Sequence, residues 1–136
     1  MTALYPVLMT GDVTRASRFY AELLDLDETF ANDWYVSLAR GEAAQLAFVD
    51  RDHPSVPRGF AAPTAGMIVT VEVPDVDAVH ARAAERDLAM HVPLRDEPWG
   101  QRHFITEDPD GVLVDVVTVI PPDAEYADAY AGSAGD

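Results

Sequence analysis

Four histidines and 24 carboxylates are the only side chains here with obvious acid–base or metal-binding potential, because cysteine is absent. The missing thiol removes a disulfide framework, a thiolate metal site and a cysteine nucleophile. His53 lies in a proline-rich stretch, His80 in a predicted helix, His91 ahead of a predicted strand and His103 within one. No two of them have the i, i+4 spacing that places a pair on one helix face, and none forms a recognisable zinc pattern. His103 stands out because it can lie across a sheet from Asp115; it is equally readable as an ordinary strand residue. A Ser-His-Asp arrangement has no support beyond the presence of those residue types.

The aromatic residues offer binding chemistry instead. Trp99 sits in a Pro-Trp-Gly loop, where contact with a ligand or partner is a natural use. Trp34 and Tyr35 are neighbours in a predicted strand, so alternation sends them to opposite faces and favours Trp34 for a binding face. Phe19 and Tyr20 lie on the apolar face of a helix and read as core. Phe48 and Phe104 are divided between core and binding readings.

These residues must be positioned by a simple run of elements. Leu4–Met9 reads as a strand with Pro6 marking an edge or irregularity. Asp12 or Thr14 can cap a helix whose apolar positions are Val13, Ala16, Phe19, Tyr20, Leu23 and Leu24. Thr29–Phe30, Trp34–Leu38 and Ala44–Val49 are short strands, with Asn32-Asp33 and Arg40-Gly41-Glu42 at the turns. Residues 50–66, rich in Pro and Gly, read as a connector. Then the order restarts. Met67–Val73 is a strand, and Asp75 or Asp77 caps a helix running to about Leu88. Ala89–Val92, Arg102–Thr106 and Val112–Val119 are strands, the last two joined by Asp108-Pro109-Asp110-Gly111. Asp12-Val13 and Asp75-Val76 mark the same point of an internal repeat.

Several motifs carry a resemblance. Tyr5 to Asp12, Ala16-Ser17-Arg18-Phe19-Tyr20, Leu23-Leu24-Asp25-Leu26 and the stretch from Trp99 through Asp108-Pro109-Asp110-Gly111 to Val116 occur in a fixed order. Together they resemble the glyoxalase / bleomycin-resistance / extradiol-dioxygenase (vicinal oxygen chelate) superfamily over about residues 4 to 119. Asp25 stands where that family usually has glycine. The resemblance implies an α+β fold of two tandem βαβββ modules, about residues 3–49 and 67–119, forming a curved sheet cleft. With connector 50–66 they make one domain over residues 1–120, followed by a tail over 121–136.

The resemblance also implies where a divalent ion would be held, by His and Glu at one position on each of four inner strands. Those positions fall on Tyr5, near Leu46, on Ile68 and on Asp115, so only Asp115 keeps an oxygen ligand. No metal and no cofactor is expected. The family's second mode is metal-free antibiotic binding, closest in kind to the bleomycin-resistance proteins, in which aromatic walls and a few polar anchors hold a drug-like natural product without changing it. Aligned to the metal positions, Tyr5, Leu46, Phe48, Glu72 and Asp115 face the cleft, with Trp34, Trp99 and His103 as further ligand contacts. The alternative is an enzyme of the same superfamily, a lyase, isomerase or dioxygenase with an atypical metal site. A homodimer fits both readings and the small size of each module.

Composition narrows the partners. Nine arginines and no lysine against 24 acidic residues give a formal charge of −15, which disfavours nucleic acid and anionic membranes. The N-terminus lacks a basic region and a long apolar run, so no signal peptide is expected and a cytoplasmic location is. Tyr126 and Tyr130, four apart in the tail, suit one face of a short helix, with disorder expected beyond Gly132.

Overall fold

The structure is a computed structural model that describes residues 1–130. The expected disorder beyond Gly132 lies outside the described residues. The chain forms two compact units, one comprising residues 1–67 together with the turn 108–112, the other residues 68–107 and 113 onward.

In unit 1, β1 (Val7–Thr10) leads into α1 (Val13–Leu24), then β2 (Asp27–Ala31), β3 (Tyr35–Arg40) and β4 (Ala44–Asp50). The sheet order is β1-β4-β3-β2, with β1 parallel to β4 and the other pairs antiparallel. A parallel neighbour requires a crossover, which α1 and the β2–β3 hairpin supply. Asp12 caps α1 by accepting from Arg15 N at 3.0 Å. The helix ends at Asp25, held in the left-handed region at φ 54, where glycine is the unstrained choice. Its carboxylate and carbonyl both take Arg40.

Unit 2 repeats the plan. β5 (Ile68–Glu72), α2 (Val76–Glu85), β6 (Val92–Glu97), β7 (Gln101–Glu107) and β8 (Leu113–Val119) give the order β5-β8-β7-β6, with β5 parallel to β8. Asp75 caps α2 through Ala78 N. The second strand of this half, expected at Ala89–Val92, forms later, at Val92–Glu97. Asp87, at φ 53, turns the chain out of the helix, and Pro93 falls where the register shifts on edge strand β6, where its missing N–H leaves no gap in a ladder. A short α3 (Ala124–Ala127) follows β8.

Helices α1 and α2 each cover one face of their own sheet. In unit 1, Tyr20 and Leu23 of α1 pack on the face carrying Leu8, Leu46, Phe48, Val36 and Leu38, all buried. Tyr20 meets Phe48 at a ring separation of 5.3 Å. In unit 2, Val76, Val79 and Ala83 cover Phe104, Val114 and Val116. Tyr20 also reaches the 108–112 turn, donating to Asp108 Oδ2 at 2.7 Å. Asp108 Oδ1 accepts from Asp110 N at 2.8 Å and Val112 N at 3.0 Å, so this buried carboxylate is met on both oxygens. Burial, then the bond to Asp108, drives the Tyr20 phenol far above its usual range. Thr10 Oγ1 makes a second bond to the turn, to Asp110 Oδ2 at 2.6 Å.

The phenol bond yields a sharp expectation. Tyr20→Phe keeps the ring but leaves a buried carboxylate oxygen short of its donor, a change that costs about 1–3 kcal/mol. Urea unfolding of wild type and variant measures it; equal midpoints would show that water replaces the phenol without loss.

Candidate functional site

Alternation leaves the second face of the unit 1 sheet to a different set of side chains. Val7 and Met9 of β1 pair in register with Ala47 and Val49 of β4, which pair in turn with Ser37 and Tyr35 of β3. On β2 a bulge intervenes, Glu28 opposing Leu38 while Phe30 opposes Ser37. The extra residue reverses the alternation and delivers Phe30 to this open face.

Trp34 joins by another route. It precedes β3, in the turn opened by Asn32, whose Oδ1 accepts from Trp34 N at 2.9 Å and from Tyr35 N at 2.8 Å. Asp50 N donates to Trp34 O at 2.8 Å, tying the turn to the end of β4. The connector supplies the remaining wall. Its first turns are closed by His53 N to Asp50 O and Val56 N to His53 O, both 3.0 Å. Farther along, Thr64 Oγ1 donates to Met9 O at 2.8 Å.

The result is a pocket of about 570 Å³ lined by the aromatic rings of Phe30, Trp34 and Tyr35 with aliphatic neighbours and Ser55. That volume is typical of small-molecule sites. Phe30 and Trp34 each set an edge against Tyr35, at 6.1 and 5.8 Å. His53 stacks flat on Trp34, with ring centres 3.7 Å apart and planes within 4°. Burial pushes the Tyr35 phenol upward, opposed by its hydrogen bond with Ser37 and aided by Tyr5 beside it.

The expected site residues divide among different surroundings. Trp34 lines the pocket, and so does Tyr35. The expectation that only one of them could face it fails because Trp34 lies outside the strand, where alternation does not apply. Tyr5 precedes β1 and neighbours Tyr35. Phe48 is corrected: it is 0 % exposed and faces α1, together with Leu46. The open face of β4 carries Ala47 and Val49 instead, one residue out of step with the expected pair.

Glu72, Trp99, His103 and Asp115 belong to unit 2. His103, 4 % exposed, places Nδ1 2.7 Å from Asp115 Oδ1 and Nε2 2.8 Å from Glu97 Oε2. An imidazolium donates to both carboxylates at once. Arg95 Nε holds Glu97 from the other side at 3.0 Å. Trp99 stands edge-on to His103 at 6.2 Å and to Tyr126 of the tail at 6.3 Å. Gly100, at φ 106, lets the tail approach; a Cβ there would meet Ile120 O at 2.9 Å. Glu72 is exposed, in register with Val117, and its carboxylate has no hydrogen-bond or ion-pair partner among the described residues. His80 sets its edge on Phe104, and His91 pairs with Glu107.

The donors for a family-type metal can be checked against this register. Asp115 pairs with Thr70, five residues before Asp75, and Val7, five before Asp12, pairs with Ala47. The counterpart of Asp115 in unit 1 is therefore Ala47 rather than Leu46, and neither binds an ion. Tyr5 and Ile68 supply no imidazole, and Asp115 is already engaged by His103. Among the described residues no group of three or more His, Asp or Glu side chains is arranged to hold a metal. The residues present do not fit the family's ion.

Sequence reasoning passed over Phe30, Val49, His53, Ser55, Val56, Pro57 and Glu97. The bulge that aims Phe30 leaves no composition signal. The connector's Pro and Gly content concealed a wall, and the misplaced second strand of unit 2 concealed Glu97.

Residues 2–116 match the family described as Glyoxalase/Bleomycin resistance protein/Dioxygenase superfamily. No curated protein matches the sequence. A protein of unknown function from Agrobacterium tumefaciens str. C58 is similar in structure, with TM-score 0.73 and 25% identity over 88% of this chain and 95% of that one. TioX from Micromonospora sp. ML1 shares the fold at TM-score 0.67 and 20% identity, covering 88% of this chain and 100% of that one. A lactoylglutathione lyase from Agrobacterium tumefaciens does so at TM-score 0.67 and 19% identity, over 85% and 92%.

The polar cluster predicts acid sensitivity. Glu97 is held below the usual carboxylate range first by His103 and then by Arg95, while Asp77 is held down first by Arg102. A carboxylate depressed in the folded state adds stability above its unfolded value, near pH ~4, and loses it as pH falls through the depressed range. The thermal midpoint should therefore fall between about pH 5 and about pH 3, and Arg102→Met should remove the share owed to Asp77. A midpoint unchanged over that window would remove these pairs from the stability account.

Proposed function

This chain belongs to the Glyoxalase/Bleomycin resistance protein/Dioxygenase superfamily, and we propose that within it the protein sequesters a drug-like natural product without transforming it. The observation that carries this reading is the makeup of the unit 1 pocket. Three aromatic rings and five aliphatic or proline side chains form its wall, with Ser55 the one remaining residue. Such a wall holds a planar conjugated surface by stacking and desolvation. No carboxylate, imidazole or guanidinium is among the residues that line it, and its polar side-chain groups are the Ser55 and Tyr35 hydroxyls and the Trp34 indole N–H.

Trp34 is the principal anchor in this reading. His53 covers one face of its indole and stiffens it, leaving less freedom to lose when a ligand stacks on the rest of the ring. Tyr35 and Phe30 complete the aromatic wall. The net charge of −15 favours a cationic substituent on the ligand over an anionic one. A two-fold dimer in the cytoplasm is part of the same proposal, since Val7 and Phe30 remain 42% and 52% exposed on the open face. Light scattering at micromolar concentration tests it, and a monomer there would remove it.

Titration of candidate aromatic antibiotics tests the binding reading. Trp34→Ala should weaken affinity about 5- to 150-fold, the range of a buried anchor. Trp99→Ala, outside the pocket wall, should leave it within about twofold. Equal affinity of wild type and a folded Trp34→Ala variant would move the site elsewhere. Conversion of the ligand to a new product would replace sequestration with catalysis.

A further inference from the structure

The connector places a histidine and a serine against the Trp34 indole at the pocket wall. Ser55 N donates to His53 Nδ1 at 3.1 Å. A ring nitrogen that accepts an N–H carries no proton of its own, so neutral His53 has its proton on Nε2. Ser55 Oγ lies 2.9 Å from the same Nδ1. With Nδ1 fixed as an acceptor, the hydroxyl must be the donor in that contact. Its proton is thereby turned toward the imidazole, and its lone pairs are left for whatever enters the pocket.

The ring that imposes this polarity is itself immobilised, stacked on Trp34 with planes within 4°. The other hydroxyl in the wall, on Tyr35, lies beside Ser37 and Tyr5. Ser55 therefore supplies a hydrogen-bond acceptor of defined direction in a wall otherwise made largely of carbon.

We propose that Ser55 is a specificity-determining residue of the unit 1 pocket. It selects a planar ligand bearing an O–H or N–H donor on its edge, and His53 is the positioning residue that sets this preference. The inference rests on the reading of the pocket as a small-molecule site. A donor on the ligand meets the Ser55 lone pairs. An ether or carboxylate oxygen in the same place meets lone pairs with lone pairs, in a chain whose net charge of −15 already opposes anions.

Three probes of one ring size test it: 2-naphthol, 2-methoxynaphthalene and 2-naphthoate, titrated by calorimetry or ligand-observed NMR. The decisive quantity is the affinity ratio of naphthol to methoxynaphthalene, compared between proteins so that the probes' different hydrophobicity cancels. The wild-type ratio should exceed that of Ser55→Ala about 5- to 10-fold, the worth of one hydrogen bond, with naphthoate the weakest ligand. Affinity for methoxynaphthalene should not fall in Ser55→Ala.

His53→Phe keeps a ring on Trp34 but removes the acceptor, freeing the hydroxyl to donate. Its ratio should fall toward that of Ser55→Ala, a change that loss of packing alone would not produce. Equal ratios in all three proteins would overturn the roles of Ser55 and His53 while leaving the pocket as a binding site. Failure of every naphthalene to bind would overturn the pocket reading and this inference with it.

Discussion

A single helix can cover only one face of a four-stranded sheet. Everything distinctive in this protein follows from what each sheet does with the other face. Strand alternation sorts the side chains strictly, so one residue's displacement in register decides whether a ring is core or binding wall. Phe48 and Val49 are neighbours in the chain, yet one lies under Tyr20 and the other lines a pocket. The apolar contact between α1 and its sheet fixes that division. Once Leu8, Phe48 and Leu38 are committed to the helix, Val7, Val49 and Tyr35 have nowhere else to point.

The two halves use the same plan for different ends. In unit 1 the open face is nearly all carbon, and the position equivalent to Asp115 is Ala47. In unit 2 that position anchors an imidazole held between two carboxylates, and the tail folds back on Trp99 through Tyr126 and a bond from the Tyr130 hydroxyl to the Trp99 carbonyl. Burying such a cluster is costly unless every member has a partner, and here each does. A plan repeated in sequence thus has one half with an apolar open face and one half stiffened by charge.

The fold was largely legible because its signals are local. The two Asp-Val caps, the amphipathic spacing of α1 and the Asp-Pro-Asp-Gly turn each state their structure within a few residues. The site was less legible because its signals are relational. Placing Phe30 requires the bulge in β2, and placing Trp34 requires the Asn32 turn, which exempts it from strand alternation. Assigning Phe48 and Leu46 to the open face was an error of one residue in register, too small for composition to reveal. Ser55 and His53 sat in a stretch whose prolines and glycines suggested only a connection. Folded on itself by short backbone bonds, that stretch is a wall.

The turn at residues 108–112 has a consequence for how the chain can be divided. It lies between β7 and β8 of unit 2, yet it is counted with unit 1, where Asp108 receives the Tyr20 hydroxyl and Asp110 receives Thr10. A gene cut after codon 67 would encode a first half that is deprived of both carboxylates and left with a buried phenol and hydroxyl to satisfy. The sequence repeat is therefore not a folding repeat. Swapping the first module between relatives would have to carry a five-residue turn from the second half of the sequence along with it.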